Sequence, residues 1–271
     1  MAVFTNTEPS KTEMDRLEEQ IKKYHTLILK AKAEVDEVVL GQEKVIDGLF
    51  RAVFAGGHAL LEGVSGTGKA ILAKTMANAV GCTSARVRMS PESRVADLVS
   101  NGGKKGMKNF LVVEDINHAP GRVQSALIQA MHNKQIIVEG SAVKLPSPFS
   151  VVGTQNPAEH HGALKKSLVN RFMFKLTVGY PSAEHEQEML NNNMEMHDFE
   201  EFDVTQVISA QQLAEIQGIV KKIYVSKKIE KYIVSIVDAT RHPEKYRIKL
   251  ARYVELGASP MGAISLLLGA K

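Results

Sequence analysis

The sequence predicts an α/β fold, an αβα core on a mainly parallel sheet followed by a smaller all-helical subdomain, and three observations predict it. Short apolar runs alternate with helical stretches from Val39 to Tyr180, the pattern of a sheet covered on both faces. One strand-to-helix junction, "EGVSGTGKAILAK" (62–74), is a glycine-rich loop of the kind that holds phosphate. After "GYPS" (179–182) the composition turns to Glu, Gln and Lys on helical spacing, with no convincing strand.

The elements follow in order. Residues 1 to 11 are polar and expected to lack structure. Met14, Leu17, Ile21, Tyr24, Ile28, Ala31, Val35 and Val38 then recur at steps of three and four, an amphipathic helix with one buried stripe. A dimerising coiled coil could use the same stripe, but about five heptads without clean e/g charge order favour packing on the body. Residues 1–38 therefore form a tail and helix, 39–180 the core. Its strands are expected at "HALLEG" (58–63), "ARVRM" (85–89), "FLVVED" (110–115), "FSVVGTQN" (149–156) and "RFMFKLTV" (171–178). Helices fill Lys69 to Val80 and Gly121 to His132, and "QIIVEGSAVKL" (135–145) reads as a hairpin turning at Glu139-Gly140-Ser141. Residues 181–271 form the helical subdomain. It ends at "SPMGAISLLLGAK", inside an apolar pattern with no polar finish, so it is expected to be cut short by a final helix or two.

A chain of 271 residues, 44% hydrophobic and 24% charged, can bury a real core. The lone Cys82 excludes an internal disulfide and fits a small core or boundary position. No leader or long apolar span is evident, so no membrane insertion is expected and the cytoplasm is the default location. The net charge of +4 comes from lysines scattered among acids, which gives nucleic-acid binding little support.

The chemistry lies at two strand ends. Gly63-Val64-Ser65-Gly66-Thr67-Gly68-Lys69 fits G-x-x-x-x-G-K: glycines let backbone N–H groups curl around phosphates, and Lys69 adds a point charge for the outer ones. Ala70, followed by Ile71, stands where a hydroxyl normally ligates magnesium. A bare strand-to-helix turn would explain the glycines but not the spacing and context together. The second site is "NFLVVEDINHAP" (109–120), an apolar strand ending in Glu114 and Asp115. Such a pair serves to hold magnesium and to polarise attacking water, with Glu114 the metal candidate; alone, it would also suit a solvated strand end. Asp is one methylene shorter than Glu, so Asp115 is expected to fall short of that water and Glu114 to crowd the metal. His160 and His161 beside Glu159 suit a solvated loop better than a metal site. Lys104, Lys105 and Lys108 likewise read as a flexible solvated loop rather than a partner contact.

With these motifs stand "VVLGQEKVIDGLFRAVFAGGHALLEG", "EDINHAPGRVQSALIQAMHNKQIIVEG", "LPSPFSVVGTQNPAEHHG", "NRFMFKLTVGYPSAEHEQEML" and "LGASPMGAISLLLGAK". From Val38 to the end the chain resembles the MoxR family of AAA+ ATPases. The resemblance implies a P-loop αβα core, a helical lid and a ring, usually hexameric, with ATP and Mg2+ between neighbours. Asn156 of "GTQNP" falls at sensor 1, where an amide orients water near the γ-phosphate. Arg171 of "NRF" falls at the arginine finger, which reaches a neighbour's nucleotide; by sequence alone it would read as a locally paired strand leader. Gly41 and Gln42 fall where the adenine pocket begins. The implied work is ATP-coupled, chaperone-like remodelling or maturation of a partner, often one bearing a von Willebrand factor A domain.

Three supports of hydrolysis depart from the family pattern: Ala70 for Thr or Ser, Glu114-Asp115 for Asp-Glu, and Met261 for the sensor 2 Arg of the lid. The segment from Met89 to Phe110 also looks shorter, which removes support for a pore-facing loop. Each lost ligand or charge typically costs about 2 to 4 kcal/mol of transition-state stabilisation, so a nucleotide binder with impaired hydrolysis is expected. The alternatives are an inactive scaffold whose Arg171 completes an active neighbour's site in a mixed ring, and a DNA-associated AAA+ regulator.

Overall fold

Apolar runs of four to six residues set the architecture, shown by a computed structural model that describes residues 9–101, 104–105, 107–159, 162–191 and 204–271. In chain order the elements are α1 (Lys11–Val38), α2 (Glu43–Phe54), β1 (Ala59–Glu62), α3 (Lys69–Ala79), β2 (Ser84–Arg88), β3 (Ser100–Asn101), β4 (Lys104–Lys105), β5 (Phe110–Glu114), α4 (Gly121–Asn133), β6 (Gln135–Val138), β7 (Ser141–Lys144), β8 (Ser150–Gln155), α5 (Lys166–Val169) and β9 (Phe174–Thr177). Then come α6 (Ala183–Asn191), α7 (Ala210–Lys222), α8 (Lys227–Arg241) and α9 (Pro260–Ala270).

β2, β5, β8, β1 and β9 lie in that order in one sheet, and every pairing is parallel. Alternation along the strands sends successive side chains to opposite faces. Leu61, Val112 and Val152 pack against α1, α2 and α3 with Ile46, Leu49, Leu72 and Met76. Leu60, Leu111, Val113 and Val151 pack on the other face with Leu127 and Ile136 of α4 and β6. Covering both faces lets these strands be apolar at nearly every position. Helices alone make up the region after β9 among the described residues, with α8 against α9 and α7 against α1 and α2.

Two expectations change in detail. Arg171 and Phe172 close the short α5 turn through bonds from their N–H groups to the carbonyls of Leu168 and Val169, so β9 starts only at Phe174. The helix predicted from Met14 starts at Lys11, capped by Ser10, whose hydroxyl accepts from the Glu13 N–H while the Glu13 carboxylate accepts from the Ser10 N–H. Its stripe is buried only at Tyr24, Ala31 and Val35; Met14 and Ile21 remain 44% and 39% exposed. The tail to residue 8 and His160-His161 lie outside the described residues.

Candidate functional site

The glycine loop is held at its root and open along its length. Gly63 donates its N–H to the Gln155 carbonyl at 3.2 Å, and a Cβ added at Gly63 would lie 2.3 Å from the Val178 carbonyl oxygen, so no larger residue fits. Gly66 (φ 86°) and Gly68 (φ 77°) both take the left-handed conformation, and nothing lies within 4 Å of where a Cβ would point. Such a backbone leaves room for phosphate oxygens against its N–H groups and the first turn of α3. Lys69 folds back over the loop, its Nζ donating to the Gly63 carbonyl at 2.8 Å and the Val64 carbonyl at 2.6 Å. Burial pulls its pKa below the ordinary lysine value, against the opposing pull of Asp115, Glu159 and Glu114. Thr67 braces the turn by donating its hydroxyl proton to the Val64 carbonyl at 2.9 Å.

Beside the loop the two acids already have cationic partners. Parallel pairing sets Arg86 opposite Val112 and Arg88 opposite Glu114, so the two arginines share a face with the end of β5. Arg86 Nε donates to Glu114 Oε1 at 2.6 Å, and Arg88 Nε to Asp115 Oδ2 at 2.8 Å. Glu114 is 7% exposed. Asp115 sits at φ 50°, a left-handed conformation that Asp tolerates better than Glu, which gives the inverted Glu-Asp order a backbone reason. Its N–H points to the Thr154 hydroxyl at 3.4 Å.

Magnesium demands near-octahedral oxygen donors. At this loop Ala70 offers none, and one oxygen of each acid is committed to a guanidinium. The residues present therefore do not fit a magnesium ion held in the usual way. Among the described residues no group of three or more His, Cys, Asp or Glu side chains is arranged to hold a metal, and no helix is long and apolar enough to cross a membrane.

These groups line a cleft of about 1010 Å³. It brings together Gln42, Ser65, Gly66, Thr67, Gly68, Lys69, Ala70, Ile71, Glu114 and Asp115 from the expected set. Gly63 and Val64 contribute their carbonyls to Lys69. Gly41 instead packs by His185, whose Nδ1 would lie 2.6 Å from an added Cβ. Asn156 lies just past β8, where its amide donates to Glu159 at 2.8 Å and its carbonyl accepts from the Ala158 N–H; it is not on the cleft wall. Arg171 faces His132 at 3.4 Å, and Met261 lies 39% exposed in the first turn of α9; neither lines the cleft.

Sequence reading missed Arg86 and Arg88, along with Lys74, Thr154 and the apolar wall from Val38, Val39, Leu40 and Tyr180. A signal for the arginines was present: in "ARVRM" they alternate with Val on a strand, which puts both on one face.

Comparison with known proteins extends the picture. Residues 58–174 match the family model described as the ATPase family associated with various cellular activities (AAA). The chain is 33% identical over 267 residues to Chaperone MoxR1 of Mycobacterium tuberculosis, covering 91% of this chain and 68% of that protein. It is 32% identical over 262 residues to the uncharacterized protein YeaC of Bacillus subtilis, covering 91% and 78%. A crystal structure from Cytophaga hutchinsonii, of a protein described as a candidate ATPase, superposes with a TM-score of 0.83 at 33% identity, covering 94% of this chain and 82% of that one. With a third of its residues shared across nine-tenths of its length, on the parallel sheet and glycine loop described above, the chain belongs to the MoxR family of AAA+ ATPases.

Proposed function

We propose that this chain binds ATP in the cleft and couples nucleotide state to chaperone-like remodelling or maturation of a partner protein, with hydrolysis of its own impaired. The observation that carries the reading is a contrast within one cleft. The loop keeps its open glycines and its lysine, whereas the acids that chemistry would need are each tied to an arginine. Binding draws on backbone N–H groups and Lys69, which Ala70 does not touch. Hydrolysis draws on a metal and a positioned water, and Ala70 and Asp115 weaken both supports.

In this reading residues 1–38 are an N-terminal arm, 39–180 the nucleotide core and 181–271 the lid. AAA+ proteins typically assemble as rings, and a hexamer or a mixed ring with a paralogue would place Arg171, which does not line its own cleft, beside a neighbour's nucleotide. The alternative is a scaffold reading, in which this subunit completes an active neighbour's site. A protein with a von Willebrand factor A domain is the proposed partner class and the cytoplasm the proposed location.

The test pairs calorimetric titration with ATP against magnesium-dependent phosphate release. The comparison variant carries Ala70→Thr, Glu114→Asp, Asp115→Glu and Met261→Arg. ATP is expected to bind and to be lost on Lys69→Ala, with release at least about 100-fold slower than in the variant. Equal release by the two proteins would refute impaired hydrolysis, and absence of ATP binding would refute the whole reading.

A further inference from the structure

The cleft answers the missing magnesium donors with fixed cations. Its wall carries four basic side chains, Lys69, Lys74, Arg86 and Arg88, against three acidic ones, Glu114, Asp115 and Glu186. Arg86 and Arg88 project from one face of β2 because they are two residues apart on a strand, and Glu114 and Asp115 at the end of β5 pair with both guanidiniums on the cleft wall. Each guanidinium has five N–H donors in a rigid fork that suits phosphate oxygens. Two guanidiniums also carry the same total charge as one magnesium ion.

We propose that the site takes the phosphate tail of a nucleoside triphosphate without a divalent cation, with Arg86 and Arg88 supplying the counter-charge that the metal supplies elsewhere. The inference rests on the reading of the cleft as a nucleotide site and deepens it. Without nucleotide, Glu114 and Asp115 each hold one arginine through its Nε. A phosphate tail brings more negative charge than either carboxylate, and charge-assisted bonds to it draw the forks over the loop. Arg88 is the better probe, since its side chain is 77% exposed and its removal leaves the core intact. Arg86 is held against a nearly buried acid and belongs more to the frame.

The experiment is calorimetric titration of ATP into the full chain in excess magnesium and again in EDTA, with the parent, Arg88→Gln, Arg88→Lys and Lys69→Ala. Affinities in the two buffers are expected to agree within about three-fold. Arg88→Gln should weaken binding in EDTA by about ten-fold, with Arg88→Lys between it and the parent, because a lysine keeps the charge but loses the fork. All variants should keep the parent's melting temperature within a few degrees. Magnesium that tightens parental binding by more than about ten-fold, or an Arg88→Gln protein that binds in EDTA like the parent, would overturn the inference. If binding needs magnesium yet vanishes in Lys69→Ala, the nucleotide reading stands and only metal independence falls. Failure to bind ATP in either buffer overturns both.

Discussion

Replacing Arg86 with alanine tests whether the arginine–acid pairs are built into the frame of the site. Glu114 is 7% exposed, and its Oε1 accepts from Arg86 Nε at 2.6 Å. Stranding a fully buried charge costs about 3 to 5 kcal/mol, but the Arg86 side chain is 52% exposed and water reaches the pair, so about 2 kcal/mol is the better figure. For a chain of this length that corresponds to a melting temperature lower by roughly 4 to 6 °C. Alanine also removes the other contacts of Arg86, so the informative quantity is a double-mutant cycle with Glu114→Gln. In the Gln background no charge is stranded, and Arg86→Ala should cost about 1 kcal/mol less than in the parent. Thermal unfolding followed by circular dichroism gives all four corners. An identical cost in both backgrounds would refute the coupling and, with it, the account of why Glu114 is tolerated at 7% exposure.

Two further predictions concern the loop and a buried imidazole. Gly63→Ala drives a Cβ toward the Val178 carbonyl, and should cost about 1 to 3 kcal/mol while weakening ATP binding; a variant that melts and binds like the parent would mean that the ends of β1 and β9 part freely. His58 accepts from the Val151 N–H at 3.0 Å, and burial pushes its pKa down to about 4. The unfolded chain, with an ordinary imidazole, takes up a proton between those values that the folded chain refuses. Stability should therefore fall as pH drops from about 6.5 toward 4, by about 3 kcal/mol at the acid end, and His58→Gln should flatten that slope in urea titrations.

What could be read from the sequence was whatever is encoded locally. The glycine spacing of the loop states its own backbone conformation, and the apolar strands state that both sheet faces are covered. The salt bridges of Arg86 and Arg88 depend instead on β2 lying beside β5, an adjacency between strands more than twenty residues apart that no local pattern contains. Asn156 shows the same limit from the other side. Its motif marks a strand end correctly, yet the direction of its amide is decided by Glu159 three residues on. The stripe of α1 was legible as a helix but not as a half-buried one, because periodicity does not report where the neighbouring body stops.

That half-burial has a mechanical meaning. At its C-terminal end α1 delivers Val38 to the cleft wall, while its first turns stand clear of the body with Met14 and Ile21 in solvent. The helix is unbroken over 28 residues, so it spans about 42 Å without a joint. From Tyr24 onward it is clamped against α2, α3 and α7 through Tyr24, Ala31 and Val35, and the part before projects from that anchor. The tip near Met14 and the cleft wall at Val38 are thus the two ends of one continuous helix.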